Sequence, residues 1–189
     1  MNPLSQTLKE LAAILDKLGI AYAIGGSIAS SARGEYRATN DLDLVAAVVV
    51  GQTDRLAAEL GPDWYADPQQ MREAIAAGRA FNLIHISLVN KVDIFPAITD
   101  FDRSQLQRAT RLVLPFGDDT TEYPVETAED ILLAKLQWFR GGGEVSDRQW
   151  RDIAAIVAAN HSLDLEYVRS WASRLKVNDL LERALPPRD

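Results

Sequence analysis

Apolar residues at the start of the chain recur every three or four positions, which is the spacing of one face of an α-helix. Six residues form this stripe: Leu4, Leu8, Leu11, Ala12, Leu15 and Leu18. Gly19 is suited to end the helix as a C-terminal cap. The next apolar run, 21–24, predicts a short buried strand, and 28–33 predicts a short helix. The sequence therefore begins with a helix, a strand and a second helix, and a Gly-Gly-Ser turn separates the last two.

Farther along, the pattern changes in character at about residue 125. Before this point, β-branched and alternating segments predict strands over 42–50, 81–88, 92–95 and 112–116. Helical spacing predicts helices over 53–60 and 68–77. After it, all patterns are helical, over 128–139, 147–159, 163–175 and 179–184. We therefore expect an α/β core over residues 1–125 and a helical region over 126–189 packed on that core.

The composition is that of an ordinary folded protein, with 189 residues of which 47% are apolar and 25% are charged. This balance excludes a disordered chain. The absence of cysteine excludes disulfides, thiol catalysis and a zinc-thiolate site, and two histidines are too few for a histidine-rich metal site. The net charge of −7 argues against a broad surface for nucleic-acid binding, because phosphate contacts need clustered lysine and arginine.

Neither a targeting segment nor a membrane span is visible in the sequence. Residues 1–10 are polar and lack the apolar centre of a signal peptide. The longest apolar run, 44–50, has seven residues, whereas a helix that spans a bilayer needs about 20. We therefore expect a cytoplasmic protein with no membrane partner.

Asp41 and Asp43 are the strongest candidates for chemistry. Residues two apart in a strand point to the same face, about 6.6 Å apart along the strand. Two carboxylates on one face repel each other, and a divalent cation between them would relieve that repulsion. Magnesium suits this arrangement, because it prefers oxygen ligands and usually binds one or two carboxylates plus substrate phosphates. The alternative is an exposed strand edge with two solvated acids.

The Gly-Gly-Ser turn and a third acid accompany this pair. Gly25 and Gly26 let a ligand approach the backbone closely, and amides at a helix start favour a phosphate, with the Ser27 hydroxyl beside them. The turn is neither the dinucleotide fingerprint nor a P-loop, so a purely structural turn is the alternative. Asp93 is a single acid in an apolar strand. If that strand lies beside the one with Asp43, the three acids suit two-metal phosphoryl transfer.

These motifs resemble the nucleotidyltransferase-fold superfamily. The resemblance rests on Gly25-Gly26-Ser27, Gly34-x-x-Arg37-x-Thr39-x-Asp41-x-Asp43 and Asp93. The chain is most similar to the small bacterial branch that includes the nucleotidyltransferase toxins of the AbiEii type. The resemblance implies an α+β nucleotidyltransferase fold, in which helices flank a mixed twisted sheet and a helical part follows at the C-terminal end.

The resemblance also implies roles for particular residues. It implies a nucleotide site formed by Gly25, Gly26, Ser27, Arg37, Thr39 and Lys135. It implies that Mg²⁺ or Mn²⁺ is held by the same acids that act in catalysis, namely Asp41, Asp43 and Asp93. Structural roles stay open for three of these residues: Arg37 as a partner of Asp41, Thr39 as a backbone hydrogen-bond donor, and Lys135 as a surface lysine.

The function that follows is in-line transfer of a nucleoside monophosphate from a nucleoside triphosphate (NTP) to an acceptor hydroxyl. Asp93 would orient or deprotonate the acceptor. The acceptor is open between an RNA end, a protein hydroxyl and a small molecule, with RNA or a cognate protein as candidate partners. The rival hypothesis is a non-catalytic nucleotide-binding or toxin–antitoxin module that retains the fold. The intact set of three acids argues against it, because a binder of nucleotide alone has no need of Asp93.

Aromatic and basic residues elsewhere suggest structural roles. Three tryptophans at helical spacing among apolar neighbours are predicted to lie in the core: Trp138, Trp150 and Trp171. A modest basic cluster is interpreted as a solvated surface: Arg103, Arg108 and Arg111.

Overall fold

The computed structural model describes residues 2–33, 41–114, 116 and 120–186. Within these ranges the chain forms seven β-strands and nine α-helices. The strands are β1 (Tyr22–Ile24), β2 (Leu42–Ala46), β3 (Trp64–Tyr65), β4 (Phe81–His85), β5 (Asn90–Pro96), β6 (Thr110–Val113) and β7 (Glu122–Val125). The helices are α1 (Pro3–Lys17), α2 (Gly26–Ala32), α3 (Thr53–Leu60), α4 (Pro68–Ala76), α5 (Asp100–Arg108), α6 (Ala128–Gly141), α7 (Asp147–Ala159), α8 (Leu165–Arg174) and α9 (Asn178–Ala184).

All seven strands belong to one mixed sheet, in the order β3-β4-β5-β2-β1-β7-β6. β2 and β5 are parallel, as are β1 and β7, and the remaining neighbours are antiparallel. Because helices flank this sheet, the predicted α+β class with a mixed sheet is confirmed. The parallel pair of β2 and β5 lies in the interior of the sheet, so both strands can contribute side chains to one site.

One face of the sheet packs on α1 and the helices beside it. The predicted leucine stripe of α1 is buried, and Leu8 and Leu15 are at most 1% exposed. α1 contacts β5 and α3, and α3 contacts α4. Leu42 and Leu44 of β2 are fully buried in the same core. Burial of these apolar side chains is the main source of stability for this layer.

The opposite face of the central strands meets α2, α5 and α6. Because Leu42 and Leu44 alternate with Asp43 and Val45, the latter two point to this second face. α2 and α5 contact β2, and α6 contacts α2. α7 and α8 pack on α6, and α9 packs on α8. The C-terminal helices therefore lie on the side of the sheet to which Asp43 points.

The four helices predicted after residue 125 are all present as α6 to α9. Their apolar stripes are long enough to be read from the sequence, and α6 alone buries Ile131, Leu132, Leu133 and Leu136 almost completely. The division of the chain into two domains at residue 125 stays a prediction. None of the described helices has both the length and the apolar character that a membrane span requires.

The structure differs from the sequence pattern where segments are short or polar. β3, α5 and β7 were not predicted, and α5 buries only Phe101 and Gln105. The strand predicted over 42–50 ends at Ala46, since its parallel partner β5 ends at Pro96. The strand predicted over 112–116 is β6, which begins two residues earlier and ends at Val113.

Candidate functional site

Asp43 and Asp93 lie side by side on the sheet face that α5 and α6 adjoin. Their strands, β2 and β5, are parallel neighbours that pair the two residues in register. Adjacent strands are about 4.8 Å apart, so the two carboxylates share one small region. Burial, the charge of Asp93 and the charge of Asp41 raise the pKa of Asp43 to about 6. Among the described residues, no lysine, arginine or histidine forms an ion pair with Asp43.

The segment that leads into β2 carries three predicted site residues. Arg37 and Thr39 lie outside the described residues, as does the preceding glycine of the motif. Asp41 is exposed and stands one residue before β2. In the part of the chain that the structure describes, no three or more histidine, cysteine, aspartate or glutamate residues are grouped to hold a metal ion. The structure therefore pairs Asp43 with Asp93 in register, and the charge of Asp41 reaches Asp43 from just before the same strand.

Lys91 is a neighbour of the carboxylates that the sequence analysis missed. Its Nζ lies 2.7 Å from Asp93 Oδ2, and this hydrogen bond raises the pKa of Lys91. One positive charge therefore stands beside the two acids. Lys91 precedes Asp93 by two residues in the same strand, so strand alternation could have placed both on one face.

Gly26 lies directly against the Asp43 carboxylate. It has a φ of +59°, which L side chains rarely adopt, and a Cβ there would lie 1.9 Å from Asp43 Oδ2. The Gly25 N–H donates a hydrogen bond of 2.9 Å to the Asp43 carbonyl oxygen. These two glycines are therefore required for the close approach of the turn to β2. Ser27 follows them and lines the same cavity as Asp43.

Glu126 is a buried acid beside this turn, and its burial could not be predicted from the local sequence pattern. It is 2% exposed, and a Cβ on Gly25 would lie 2.7 Å from its Oε1. Gln105 Nε2 donates a hydrogen bond of 3.1 Å to the same oxygen. Burial and the charges of Asp130 and Asp43 raise the pKa of Glu126 to about 8. The side chain is therefore a neutral acid at neutral pH.

A cavity of about 580 Å³ opens in front of these groups. Its walls include the Gly-Gly-Ser turn, both in-register carboxylates and residues of α5, α6 and α7. Lys135 of α6 lines it and lies 3.2 Å from Asp152 Oδ2 on α7. The charge of Lys135 also reaches Asp43 and lowers the pKa of that carboxyl. A cavity of this size is typical of a site for a small-molecule ligand.

Trp138 lines the same cavity, and the prediction that it lies in the core is wrong. It is 58% exposed, whereas Trp150 and Trp171 are partly buried against the core. The core-facing side of α6 is occupied by smaller apolar residues, and Trp138 points to the side of the cavity. Its ring packs edge-on against Phe95, with the two ring centroids 5.6 Å apart.

The donor set suits a magnesium ion that arrives with a nucleotide. Mg²⁺ prefers oxygen ligands and usually binds one or two carboxylates together with substrate phosphates. Asp43 and Asp93 supply two carboxylates in register, and the repulsion that raises the Asp43 pKa would be relieved by a cation. The residues present therefore fit the ion, and a further carboxylate, Asp41, stands two residues before Asp43.

A second acidic cluster at the start of α6 has donors of its own. Asp130 is fully buried, and it accepts hydrogen bonds from Thr127 Oγ1 at 2.9 Å, from Arg108 Nε at 3.3 Å and from the Tyr167 hydroxyl. Burial raises the pKa of Asp130, and these three donors oppose that rise. Arg108 also lies over the Tyr167 ring at 3.8 Å. Interpreting Arg108 as part of a solvated surface is therefore wrong, because it joins α5 to α6 and α8.

Comparison with solved structures identifies the fold. The solution structure of the antibiotic-resistance factor ANT(2'')-Ia is 19% identical, with a TM-score of 0.55, and the match covers 97% of this chain and 98% of that chain. A crystal structure of ANT(2'')-Ia in complex with adenylyl-2''-tobramycin is 15% identical, with a TM-score of 0.52 and coverage of 90% and 95%. An antigenic nucleotidyltransferase-like protein from Paracoccidioides brasiliensis is 23% identical, with a TM-score of 0.56 and coverage of 97% and 92%.

At these identities the likeness concerns the fold, and it extends over nearly the whole chain. The protein has the nucleotidyltransferase fold that the sequence motifs predicted. No protein-family model matches the chain, and a search of curated proteins finds no match. Membership of the branch with the AbiEii-type toxins stays a prediction.

Proposed function

We propose that this protein is a magnesium-dependent nucleotidyltransferase that moves a nucleoside monophosphate from an NTP to an acceptor hydroxyl. The observation that carries the proposal is the in-register pair of Asp43 and Asp93, which faces a cavity of about 580 Å³ together with Gly26 and Lys135. The similar structures add support, since one of them is ANT(2'')-Ia in complex with adenylyl-2''-tobramycin.

In this proposal the role of each side chain follows from its position in the site. Asp41, Asp43 and Asp93 would hold the metal ion, which would neutralise charge on the phosphates and polarise the reacting phosphoryl group. The backbone of Gly25 and Gly26 approaches the triphosphate closely. Ser27 and Lys135 contact phosphate oxygens, as do two predicted residues outside the described ranges, Arg37 and Thr39. Most of the rate enhancement then comes from positioning and charge, as in phosphoryl transfer generally.

Asp93 carries the remaining step, the activation of the acceptor. The acceptor oxygen forms a bond to the α-phosphorus while the bond to the pyrophosphate breaks, and the hydroxyl proton passes to the Asp93 carboxylate. Lys91, at 2.7 Å from Asp93, fixes that carboxylate in place at the mouth of the site. The pyrophosphate leaves on the side of the Gly-Gly-Ser turn.

Two observations favour an alternative, a nucleotide-binding or toxin–antitoxin module without catalysis. Asp93 is engaged in an ion pair with Lys91. Among the described residues, moreover, three acids do not group as a metal site. A binding module needs Lys135 and the turn but not Asp93. Substitution of Asp93 therefore distinguishes the two functions.

The experiment is a transfer assay with all four NTPs labelled at the α-phosphate. Acceptor candidates are total RNA, total protein and small molecules, with an amino sugar such as tobramycin included because of the similar structure. Asp93→Ala should lower the transfer rate on the order of 10²–10⁴-fold and keep NTP affinity, as expected for a positioned acid–base group. Lys135→Ala should chiefly weaken NTP binding, since a lysine on phosphate contributes to ground-state binding.

Asp63→Asn is the matched control, because it removes one exposed negative charge away from the cavity. It should leave both binding and transfer unchanged. Transfer at the wild-type rate by the Asp93→Ala variant would contradict the role of Asp93 and favour the binding module. NTP binding with no transfer to any acceptor class would favour the same alternative.

A further inference from the structure

Trp138 is an exposed aromatic side chain in the wall of the cavity, and the proposed transfer step gives it no role. It is 58% exposed, whereas Trp64 is 6% exposed. A single apolar residue on an open surface needs no explanation. Trp138 differs because its exposed ring forms part of a concave site together with charged groups.

The Trp138 ring packs against one residue of the sheet, Phe95 of β5. Phe95 packs against Trp138 with ring planes at 84° and centroids 5.6 Å apart, which is a favourable edge-to-face geometry. Phe95 is two residues past Asp93 on β5, so both side chains point to the same face. Phe95 is also in register with Val45 of β2, and both line the cavity. The aromatic pair is therefore a preformed apolar wall next to the carboxylates.

This aromatic pair lies on the far side of the carboxylates from the Gly-Gly-Ser turn. The turn follows β1, which neighbours β2, and β2 neighbours β5. Phe95 is two strand spacings across and two residues along from Gly25, or roughly 12 Å away. The order across the site is therefore turn, carboxylates and aromatic pair. A bound NTP has the same order of parts: terminal phosphates, α-phosphate and base.

The position of Lys135 on α6 supports this orientation of the nucleotide. Lys135 precedes Trp138 by three residues, so the two side chains are neighbours on one helix face. Lys135 lines the same cavity as Asp43 and the Gly-Gly-Ser turn, which places it near the phosphates of a bound nucleotide. Trp138, one turn later, lies beyond the phosphates. We propose that Trp138 is the nucleobase platform of the site, on which the base of the NTP stacks.

This inference rests on the proposed function and adds the binding mode of the nucleoside. The acceptor has a separate approach, along the open sheet face beside Asp93. Asn82 of β4 is exposed there and is in register with Asp93, and the Lys91 side chain is 47% exposed. Stacking on an aromatic ring is tolerant of base identity, so the platform predicts binding of several NTPs with purines favoured over pyrimidines.

The test is the affinity of Mg²⁺-NTP and of Mg²⁺-tripolyphosphate for Trp138→Ala and Trp138→Phe. Base–aromatic stacking contributes about 1–3 kcal/mol, so Trp138→Ala should weaken ATP and GTP binding by about 5- to 150-fold. Tripolyphosphate has no base, so its affinity should stay unchanged. Trp138→Phe should retain most of the nucleotide affinity. Ile86→Ala is the control, because Ile86 is 55% exposed and lies outside the cavity lining.

Three other results of these measurements would overturn the assignment of Trp138 as the nucleobase platform. Unchanged NTP affinity in Trp138→Ala, or equal losses for NTP and tripolyphosphate, would overturn the platform and leave the transfer reaction standing. Unchanged NTP affinity with a raised KM for the acceptor would assign the ring to the acceptor and likewise overturn the inference. If the unaltered protein binds none of the four NTPs with Mg²⁺, the proposed function fails, and the platform fails with it.

Discussion

Asp43 on the sheet and Asp130 on α6 are both acids whose pKa burial raises, but their surroundings are opposite in kind. Asp130 is surrounded by donors from three elements, Arg108, Thr127 and Tyr167. The strongest charged neighbour of Asp43 is another acid, Asp93. Lys135, whose charge reaches Asp43, forms its own ion pair with a carboxylate on α7.

This difference separates an internal network from a site that needs a ligand. A buried acid with several donors is stabilised where it is, and removing the acid breaks the network. Two acids in register that face a cavity repel each other until a cation arrives from outside. Perturbed carboxylates in a cleft are candidates for function for this reason. Asp43 and Asp130 should accordingly respond in opposite ways to the same substitution.

Asp43→Asn should have the largest effect on function. The amide keeps the shape of the side chain but removes one metal-binding charge, which contributes several kcal/mol to stabilising the transition state. We expect the transfer rate to fall by about 10³-fold, while the melting temperature holds or rises because repulsion with Asp93 is relieved. A transfer assay and a thermal melt on the same preparation check this. A clear fall in melting temperature would indicate a structural ion pair at Asp43 instead.

Asp130→Asn should have the converse effect. The substitution leaves Arg108 and the Tyr167 hydroxyl with a weaker partner inside the α5–α6–α8 contact, and breaking a buried pair costs about 3 kcal/mol. For a chain of this size we expect the melting temperature to fall by about 5–10 °C. The transfer rate per folded molecule, measured well below the melting temperature, should stay near that of the unaltered protein. Unchanged stability with lost transfer would contradict the structural role of Asp130 and assign it a functional one.

Glu126 lies between the two clusters, and its raised pKa predicts a dependence of stability on pH. Its pKa is about 8 in the folded protein, whereas the ordinary value for a glutamate, which applies to the unfolded chain, is 4.5. The folded state therefore keeps a proton that the unfolded chain releases, so stability should fall as pH rises from about 4.5 to about 8. Glu126→Gln removes this titration and retains the oxygen that accepts from Gln105.

Chemical denaturation of the two proteins across this pH range measures the effect. Glu126→Gln should match the unaltered protein near pH 4 and exceed its unfolding free energy near pH 8.5 by on the order of 5 kcal/mol. The difference in unfolding free energy between the two proteins should increase gradually between these pH values. A constant gap at every pH would show that packing, and not the proton, accounts for the difference.

Gly26→Ala and Gly19→Ala form a matched pair with a smaller effect on stability. Both glycines have positive φ, +59° and +66°, so each substitution costs about 1 kcal/mol in backbone strain. A Cβ at Gly19 meets nothing within 4 Å, whereas one at Gly26 would displace the Asp43 carboxylate. Gly19→Ala should melt slightly lower and keep transfer. Gly26→Ala should melt lower still, because the Asp43 side chain must shift, and it should lose transfer. Equal transfer in the two variants would contradict the contact with Asp43.

The sequence predicted the acids but only part of their setting. Strand alternation was sufficient to place Asp41 and Asp43 on one face, and the Gly-Gly-Ser turn was visible as a break. That β5 neighbours β2 depends on sheet topology, which local pattern does not contain. The ion pair of Lys91 with Asp93 follows from alternation within a single strand, so it could have been predicted.

The surroundings of Glu126 and Trp138 could not be predicted from the local sequence pattern. Glu126 is buried because Gln105 of α5 and the turn after β1 close over it, and both contacts are distant in sequence. Trp138 has the helical spacing of a core residue, but the core side of α6 is already filled, so its ring points to the cavity. Both outcomes depend on how α5 and α6 dock on the sheet.

The central claim is that the Asp43 and Asp93 pair binds an NTP through a divalent cation. Isothermal titration calorimetry of the unaltered protein with each NTP, in excess Mg²⁺ and again in excess chelator, tests it most directly. We expect measurable binding with Mg²⁺ and binding at least about tenfold weaker in chelator, because bare carboxylates repel a triphosphate. Asp43→Asn should show little difference between the two conditions. Equal affinity of the unaltered protein with Mg²⁺ and with chelator would contradict the claim.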